Sequence, residues 1–422
     1  MSLTFEINKL GTIRNCQIKF KPLLIFSGPS NVGKSYSAFL VYFVIKHISE
    51  IELMSFIENN FSLELKKLKS KKDTNIVIEP QIFNKWLNDN VSQYLKYLLN
   101  SENINYSGNI IAEFDKIDLF FTIYEESASN RKTNILAVKN LDKQYYLQST
   151  ESIPLIVYEI ISNELSKRIL GTDSKQTLLL PPSKSALVNF TQTIDDQVGL
   201  GMYKEFLKDY KIIKETNKAA IKGNVIPKVL RENINSFMED ILNGNISEIN
   251  KELYFSFSDT MIPISAAASS IKELAPFLIA INKYPPSLLS ILFEEPESHL
   301  HPHLQIELAK LIALLHNFNC FFQITTHSDL FISQLNNLIR LNNLKNKNKS
   351  LYIEYLNKFH LSPQHAVSTD KVGAYLFKKN EKGYTNIIQQ NIDNGISLDS
   401  FDNAIENLYA QTSFLDNQLE LS

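Results

Sequence analysis

Cysteine is almost missing from this chain: Cys16 and Cys320 are the only two among 422 residues. That excludes a disulfide framework, and the lack of any CxxC pair excludes the common zinc modules. Neither sign of charge dominates. Lys and Arg number 43, Asp and Glu 45, and the formal net charge is −2. No global basic field therefore points to nucleic acid or an anionic membrane. A local basic groove stays open. Two Lys-rich runs, 66–72 and 345–349, read as solvated loops. No stretch reaches the ~18 uninterrupted apolar residues of a membrane span, and Met1-Ser2-Leu3-Thr4-Phe5 lacks the basic-then-apolar order of a secretory signal. The expectation is a cytoplasmic protein that does not touch a membrane. No repeat of 20–50 residues is present.

Apolar residues make up 44% and charged residues 21% of the chain, enough for one large domain with an insertion or for two domains. Short strands are predicted at 3–7 and 16–20 around a Gly11 turn. Leu23-Leu24-Ile25-Phe26 is a buried strand that runs straight into glycine. A buried helix follows from Lys34. Further helices are predicted at 81–99, 152–170, 304–315 and from Ser269, the last kinked at Pro276. Strands are predicted at 117–124, 133–138, 177–180, 253–257, 262–264, 288–293 and 321–325, with a turn at 126–132. Residues 186–250 read as helical with glycine breaks. The Asn/Lys-rich stretch 341–350 reads as a loop, and the tail from Leu351 as strand-like pieces before a final helix near 400–411.

The strongest chemical signal is Gly28-Pro29-Ser30-Asn31-Val32-Gly33-Lys34-Ser35, a full GxxxxGK[ST]. Gly is scarce here, with 12 in the chain, so a chance match is improbable on composition alone. The glycines let backbone N–H groups close on phosphate oxygens, and the helix start adds partial positive charge. Lys34 is placed for the β- and γ-phosphates, Ser35 for Mg2+. The second signal is the apolar run Leu288–Phe293 ending in Glu294-Glu295-Pro296. It puts two carboxylates at the carboxyl edge of a parallel sheet, where ligands bind. Glu294 suits the Mg2+ shell and Glu295 the orientation of an attacking water. The third is His327, just past the strand ending Thr325-Thr326, placed to sense a γ-phosphate.

In this order the motifs resemble the ABC ATPase superfamily, and within it the RecF/SMC/OLD-like microbial branch of AAA-type ATPases. The resemblance covers residues 3–42 and 177–410. Ile264-Ser-Ala-Ala-Ala-Ser269-Ser270 is similar to the degenerate signature of that branch, and Glu295-Pro-Glu297-Ser298-His299-Leu300-His301-Pro302 to its D-loop. Leu180-Pro-Pro-Ser183-Lys184 is similar to a P-x-x-R loop, with Lys184 where the branch usually has Arg. Position 294 is Glu where the usual Walker B has Asp. The signature lacks the two glycines of LSGGQ, and no Q-loop glutamine stands out, Gln192 fitting poorly. No heptad array supports a long coiled-coil arm, and the tail lacks the acidic clusters of an appended nuclease.

The resemblance implies an α/β fold: an ABC-ATPase head with a P-loop sheet core, parallel or mixed, carrying a helical lobe and an α+β insertion. The core is expected at 1–49, 176–185 and 251–422, the insertion at 50–175 and the lobe at 186–250. ATP and Mg2+ are the implied ligands. Gly28, Ser30, Asn31, Val32, Gly33, Lys34, Ser35 and Tyr36 are the implied nucleotide contacts. Ser35 and Glu294 are the implied metal ligands, and Glu295, His327 and Lys34 the implied catalytic groups. Ser269 and Ser270 would reach the γ-phosphate of a second protomer, giving a homodimer or higher homo-oligomer closed around ATP. The branch often serves anti-phage defence, where such an ATPase is the sensor or scaffold for a separate effector protein. A stand-alone RecF-like DNA-repair ATPase is the alternative. A transporter subunit, and an assembly protein that holds ATP without hydrolysing it, are further readings that the signature and the Glu295/His327 pair disfavour.

Overall fold

The computed structural model describes residues 2–128, 131–147, 149–187, 201–216, 226–249, 252–393, 395–398 and 409–414. The chain opens with β1 (Ser2–Leu10), β2 (Ile13–Lys19) and β3 (Leu23–Ser27), then α1 (Lys34–Ser49) and α2 (Leu53–Lys69). β4 (Thr74–Ile78), α3 (Pro80–Leu99), β5 (Tyr106–Glu113), β6 (Ile117–Ala128), β7 (Arg131–Val138) and β8 (Lys143–Leu147) follow. Next come α4 (Ile153–Ile169), β9 (Gln176–Leu180), α5 (Met202–Glu215), α6 (Lys228–Ser236), β10 (Asn245–Ile249), β11 (Glu252–Phe257) and β12 (Thr260–Pro263). The chain continues with α7 (Ser269–Lys283), β13 (Leu289–Glu294), α8 (Pro302–Asn317), β14 (Phe321–Thr326), α9 (Asp329–Lys347) and α10 (Lys349–Lys358), then β15 (Val372–Lys379) and β16 (Thr385–Gln389).

The central sheet has nine strands in the order β5-β1-β2-β16-β15-β3-β14-β13-β9. β15, β3, β14, β13 and β9 run parallel to one another. Every residue of β3, β13 and β14 is buried, which is why these strands read as unbroken apolar runs rather than alternating ones. Their shared direction brings the ends of β3, β13 and β14 to one edge, the carboxyl edge on which crossover sheets build ligand sites. α1 packs against all three and against β9. This explains why its sequence is apolar nearly all round; residues 37–49 are all buried.

In the other half of the sheet β5, β1 and β2 are antiparallel, as are β16 and β15, and β16 meets β2 in parallel. β5 lies along β1 from Ser2↔Glu113 to Leu10↔Tyr106, so part of the 50–175 segment is built into the central sheet. As an edge strand β5 would expose a row of unpaired backbone groups. α3 covers them: the Asn84 amide brackets the Ala112 backbone at 3.0 and 3.2 Å, and the Asn88 amide brackets Ile110 at 2.8 and 2.9 Å. The rest of that segment forms an antiparallel sheet, β4-β6-β7-β8, and β10-β11-β12 form a third.

Several local expectations change. The stretch 341–350 is not a loop: α9 runs to Lys347 because Leu335, Leu338, Ile339 and Leu341 bury one face, and packing outweighs the modest helix preference of Asn. Leu351 begins no strand; it sits in α10, which packs through Tyr352 and Leu356. Lys66, Lys67 and Lys69 likewise lie on the last turn of α2, where cations favour the helix dipole. α7 starts at Ser269 as expected and contains Pro276. The region 186–250 contains strand β10 as well as α5 and α6. Gln192, Gly223, the middle of the 126–132 turn and most of the expected 400–411 helix lie outside the described residues.

Candidate active site

β3 ends at Ser27, and the next six residues climb into α1. Gly28 has φ +132°, and a Cβ there would stand 2.4 Å from the Phe377 carbonyl oxygen. Gly33 has φ +92°, and its Cβ would stand 2.8 Å from Ile13 Cδ1. Both positions thus require glycine, for backbone angle and for space. No side chain caps the start of α1, so its first-turn N–H groups face the loop free to meet an anion. A cavity of about 310 Å³ opens there. Its walls are Ser30–Tyr36, then Gly11, Thr12 and Ile104, then Glu295, Thr325 and His327 from the ends of β13 and β14.

Glu294, the last residue of β13, is 3% exposed. Its Oε2 accepts a hydrogen bond from the Ser35 hydroxyl, and its Oε1 is buried with no protein partner. Burial pushes its carboxyl up to about 7. An orphaned carboxylate oxygen beside a serine hydroxyl is an oxygen donor set that fits a hard divalent cation. Two protein ligands suffice for Mg2+ when phosphate and water complete the shell.

Glu295 takes φ +45°, which turns its side chain out of the strand line and into the cavity wall. Its N–H donates to the Thr325 carbonyl at 2.9 Å, tying the end of β13 to β14. Oε2 accepts from Ser298 Oγ at 3.2 Å, and Oε1 lies 3.5 Å from His327 Nε2. The His327 contact holds the Glu295 carboxyl below its usual range. Lys34 Nζ donates to the carbonyls of Gly28 and Pro29 at 3.0 and 2.7 Å and lies 3.0 Å from His327 Nε2. Burial lowers its ammonium to about 8, against the pull of the nearby acids Glu295, Glu297 and Glu294.

Thus Lys34, Ser35, Glu294, Glu295 and His327 meet in one place. Ser269 and Ser270 do not join them: they open α7, where Ser269 is exposed and no side chain caps the helix. Lys184 is buried away from the cavity against Glu273, at 2.9 Å. Three wall residues, Gly11, Thr12 and Ile104, carry no motif and could not be read from the chain. Glu297, within the 295–302 segment, also belongs to the site's support. Its Oε1 accepts the backbone N–H of His327 at 2.5 Å and the Thr326 hydroxyl at 2.9 Å.

A model of the AAA ATPase domain family matches residues 1–332. No curated protein is significantly similar to the chain. Among solved structures, an Smc head bound to the C-winged helix domain of ScpA is similar at 11% identity and a TM-score of 0.38, over 93% of this chain and 97% of that one. The SMC head domain from Thermotoga maritima is similar at 10% and 0.34, over 93% and 98%. An Smc head with an extended coiled coil, bound to the C-terminal domain of ScpA derived from Pyrococcus furiosus, is similar at 12% and 0.34, over 97% and 98%. Among the described residues no helix is long and apolar enough to cross a membrane.

Proposed function

The chain belongs to the AAA ATPase domain family, and from that premise we propose that it binds and hydrolyses Mg·ATP as a nucleotide-driven dimer. The observation that carries this is the convergence of Lys34, Ser35, Glu295 and His327 on one cavity of about 310 Å³, with Glu294 buried behind Ser35 and bonded to its hydroxyl. Ser35 and Glu294 would hold the metal. Bound Mg2+ supplies positive charge across the phosphate oxygens. Gly28 and Gly33 let the loop backbone approach those oxygens, and Lys34 leaves the loop carbonyls to pair with them. Glu295, kept ionised by His327, accepts a hydrogen bond from the attacking water and aims it. His327 orients both.

Ser269, exposed, and Ser270, half-buried, stand at an uncapped helix start, a position that suits a phosphate held by a second protomer. The helix N–H groups there take the place of the missing signature glycines. Two such sites related by a two-fold axis close a head-to-tail sandwich around ATP. The cellular reading is a cytoplasmic sensor or scaffold ATPase of an anti-phage system that controls a separate effector. It is supported by the family and by the motif order.

The test is to weigh the Glu295→Gln protein by light scattering with and without Mg·ATP. The expected result is a dimer that forms only with nucleotide, with hydrolysis down about 10²–10³-fold. Unchanged hydrolysis would remove Glu295 from this role, and a mass indifferent to ATP would overturn the sandwich. Purification with the neighbouring gene products tests the effector. Stimulation by DNA with a steep salt slope would instead favour a DNA-repair role.

A further inference from the structure

Lys184 and Glu273 are each 1% exposed. Lys184 Nζ lies 2.9 Å from Glu273 Oε2, and Glu273 Oε1 accepts the Ser185 N–H at 3.1 Å. The pair therefore bolts the loop after β9 to α7. The same Nζ sits 4.9 Å from the centre of the Phe293 ring, and Phe293 is the residue that precedes Glu294. Lys184 also feels the charges of Glu294 and Glu297. Glu273 lies one helical turn beyond Ser269 and Ser270, on the same side of α7 as Ser269. A buried ion pair is seldom more stable than an apolar pair of equal volume. Stability alone is a weak reason for its presence.

We propose that Lys184 and Glu273 are positioning residues that couple the metal end of one protomer's nucleotide site to the start of α7, which caps the nucleotide of the other. This rests on the sandwich reading above. Lys184 meets Glu273 on α7 and lies over the ring of Phe293, the residue before Glu294. A shift at the end of β13 when the metal is held would reach Lys184 through Phe293 and, through the Lys184–Glu273 pair, the first turns of α7. The pair touches neither nucleotide nor water. Its effect falls on closure.

The test uses the full chain with Lys184→Met and Glu273→Leu together, so that no charge is left buried alone. The readouts are binding of a fluorescent ATP analogue, ATP-driven dimerisation in the Glu295→Gln background, and kcat with Glu295 intact. The expected result is nucleotide affinity within about threefold of the parent. Dimerisation should need about tenfold more ATP, and kcat should fall about tenfold. Lys184→Arg should keep the pair and restore both to within about threefold. Dimerisation of the double variant at the parent's ATP concentration would overturn the coupling and leave a merely structural pair. Failure of the Glu295→Gln parent itself to dimerise would instead overturn the sandwich, and this inference with it. Should the apolar double variant not fold, the reversal Lys184→Glu with Glu273→Lys gives the same readings.

Discussion

The ammonium of Lys34 and the Nε2 of His327 lie 3.0 Å apart, although the two residues are 293 positions apart in the chain. Nε2 also faces Glu295 Oε1 at 3.5 Å. The same nitrogen is therefore shared between Lys34 and Glu295, the groups proposed to bind phosphate and to orient water. The three N–H donors of Lys34 are all taken, so it can meet a phosphate only by giving up at least one of these partners.

Single substitutions should separate the two roles. Lys34→Ala should weaken nucleotide binding by at least about tenfold, since it removes a charge-assisted contact. His327→Ala should leave binding within about threefold and lower kcat about ten- to a hundredfold. Fluorescent-nucleotide titration and single-turnover hydrolysis measure these. Equal loss of binding in both variants would argue against the division.

Glu297 should matter without touching nucleotide. Its Oε1 fixes the backbone of His327 and the hydroxyl of Thr326. Glu297→Ala leaves both donors without that partner, which costs about 1–3 kcal/mol each where they are buried. A lower melting temperature and a roughly tenfold lower kcat at near-constant KM are expected. Glu297→Gln keeps an acceptor oxygen and should recover most of the rate. A full rate in Glu297→Ala would remove this positioning role.

The pH dependence should have two close limbs. Below about 7 Glu294 holds a proton that a cation must displace, so Mg2+ affinity should fall about tenfold per unit. Above about 8 Lys34 loses its charge. The profile of kcat/KM is expected to be a narrow bell between these values. For folding, Glu294 has its folded pKa above the ordinary 4.5, so the folded state holds the extra proton between 4.5 and 7. Its contribution to stability therefore falls as pH rises through that window. Thermal melts at pH 5 and 7.5, with and without Mg2+, should show the loss shrink when the metal is present.

Stability should depend strongly on Lys46. Its Nζ lies 2.8 Å from both Glu205 Oε1 and Asp209 Oδ1 and 3.0 Å from Glu50 Oε2. Asp209 Oδ2 accepts the Tyr42 hydroxyl at 2.6 Å and the Leu179 N–H at 2.9 Å. This network joins α1, α5 and β9. Lys46→Met takes the shared cation from three acids, of which only Glu205 keeps another, Lys208 at 3.4 Å, and should cost about 3–5 kcal/mol in urea melts. The cost should be smaller at pH 5 than at pH 8, because stranded carboxyls then take up protons. A change under about 1 kcal/mol would mean the network is not held as described.

The phosphate loop, Glu294, Glu295 and His327 were legible because each follows at once on a strand buried on both faces, and such strands announce themselves as apolar runs. Gly11, Thr12 and Ile104 were not, since nothing in their neighbours marks them as cavity walls. The helical run through Asn342 and Lys347 was misread for a related reason: its polar residues were visible, but the surface that buries Leu338 and Leu341 was not.

Chemistry carried by neighbouring residues, such as a glycine needed for its backbone angle or a lysine set at a helix start, depends on short range and follows from residue order. Which distant residues meet depends on strand register. β14 lies between β3 and β13, and that order brings His327 to Lys34 and Glu295. The pairing of β5 with β1 makes part of 50–175 a piece of the central sheet. Packing of α7 against the loop after β9 buries Lys184 with Glu273. A side chain's partner across the fold is chosen by backbone pairing and close packing summed over many residues, and no local pattern carries that sum.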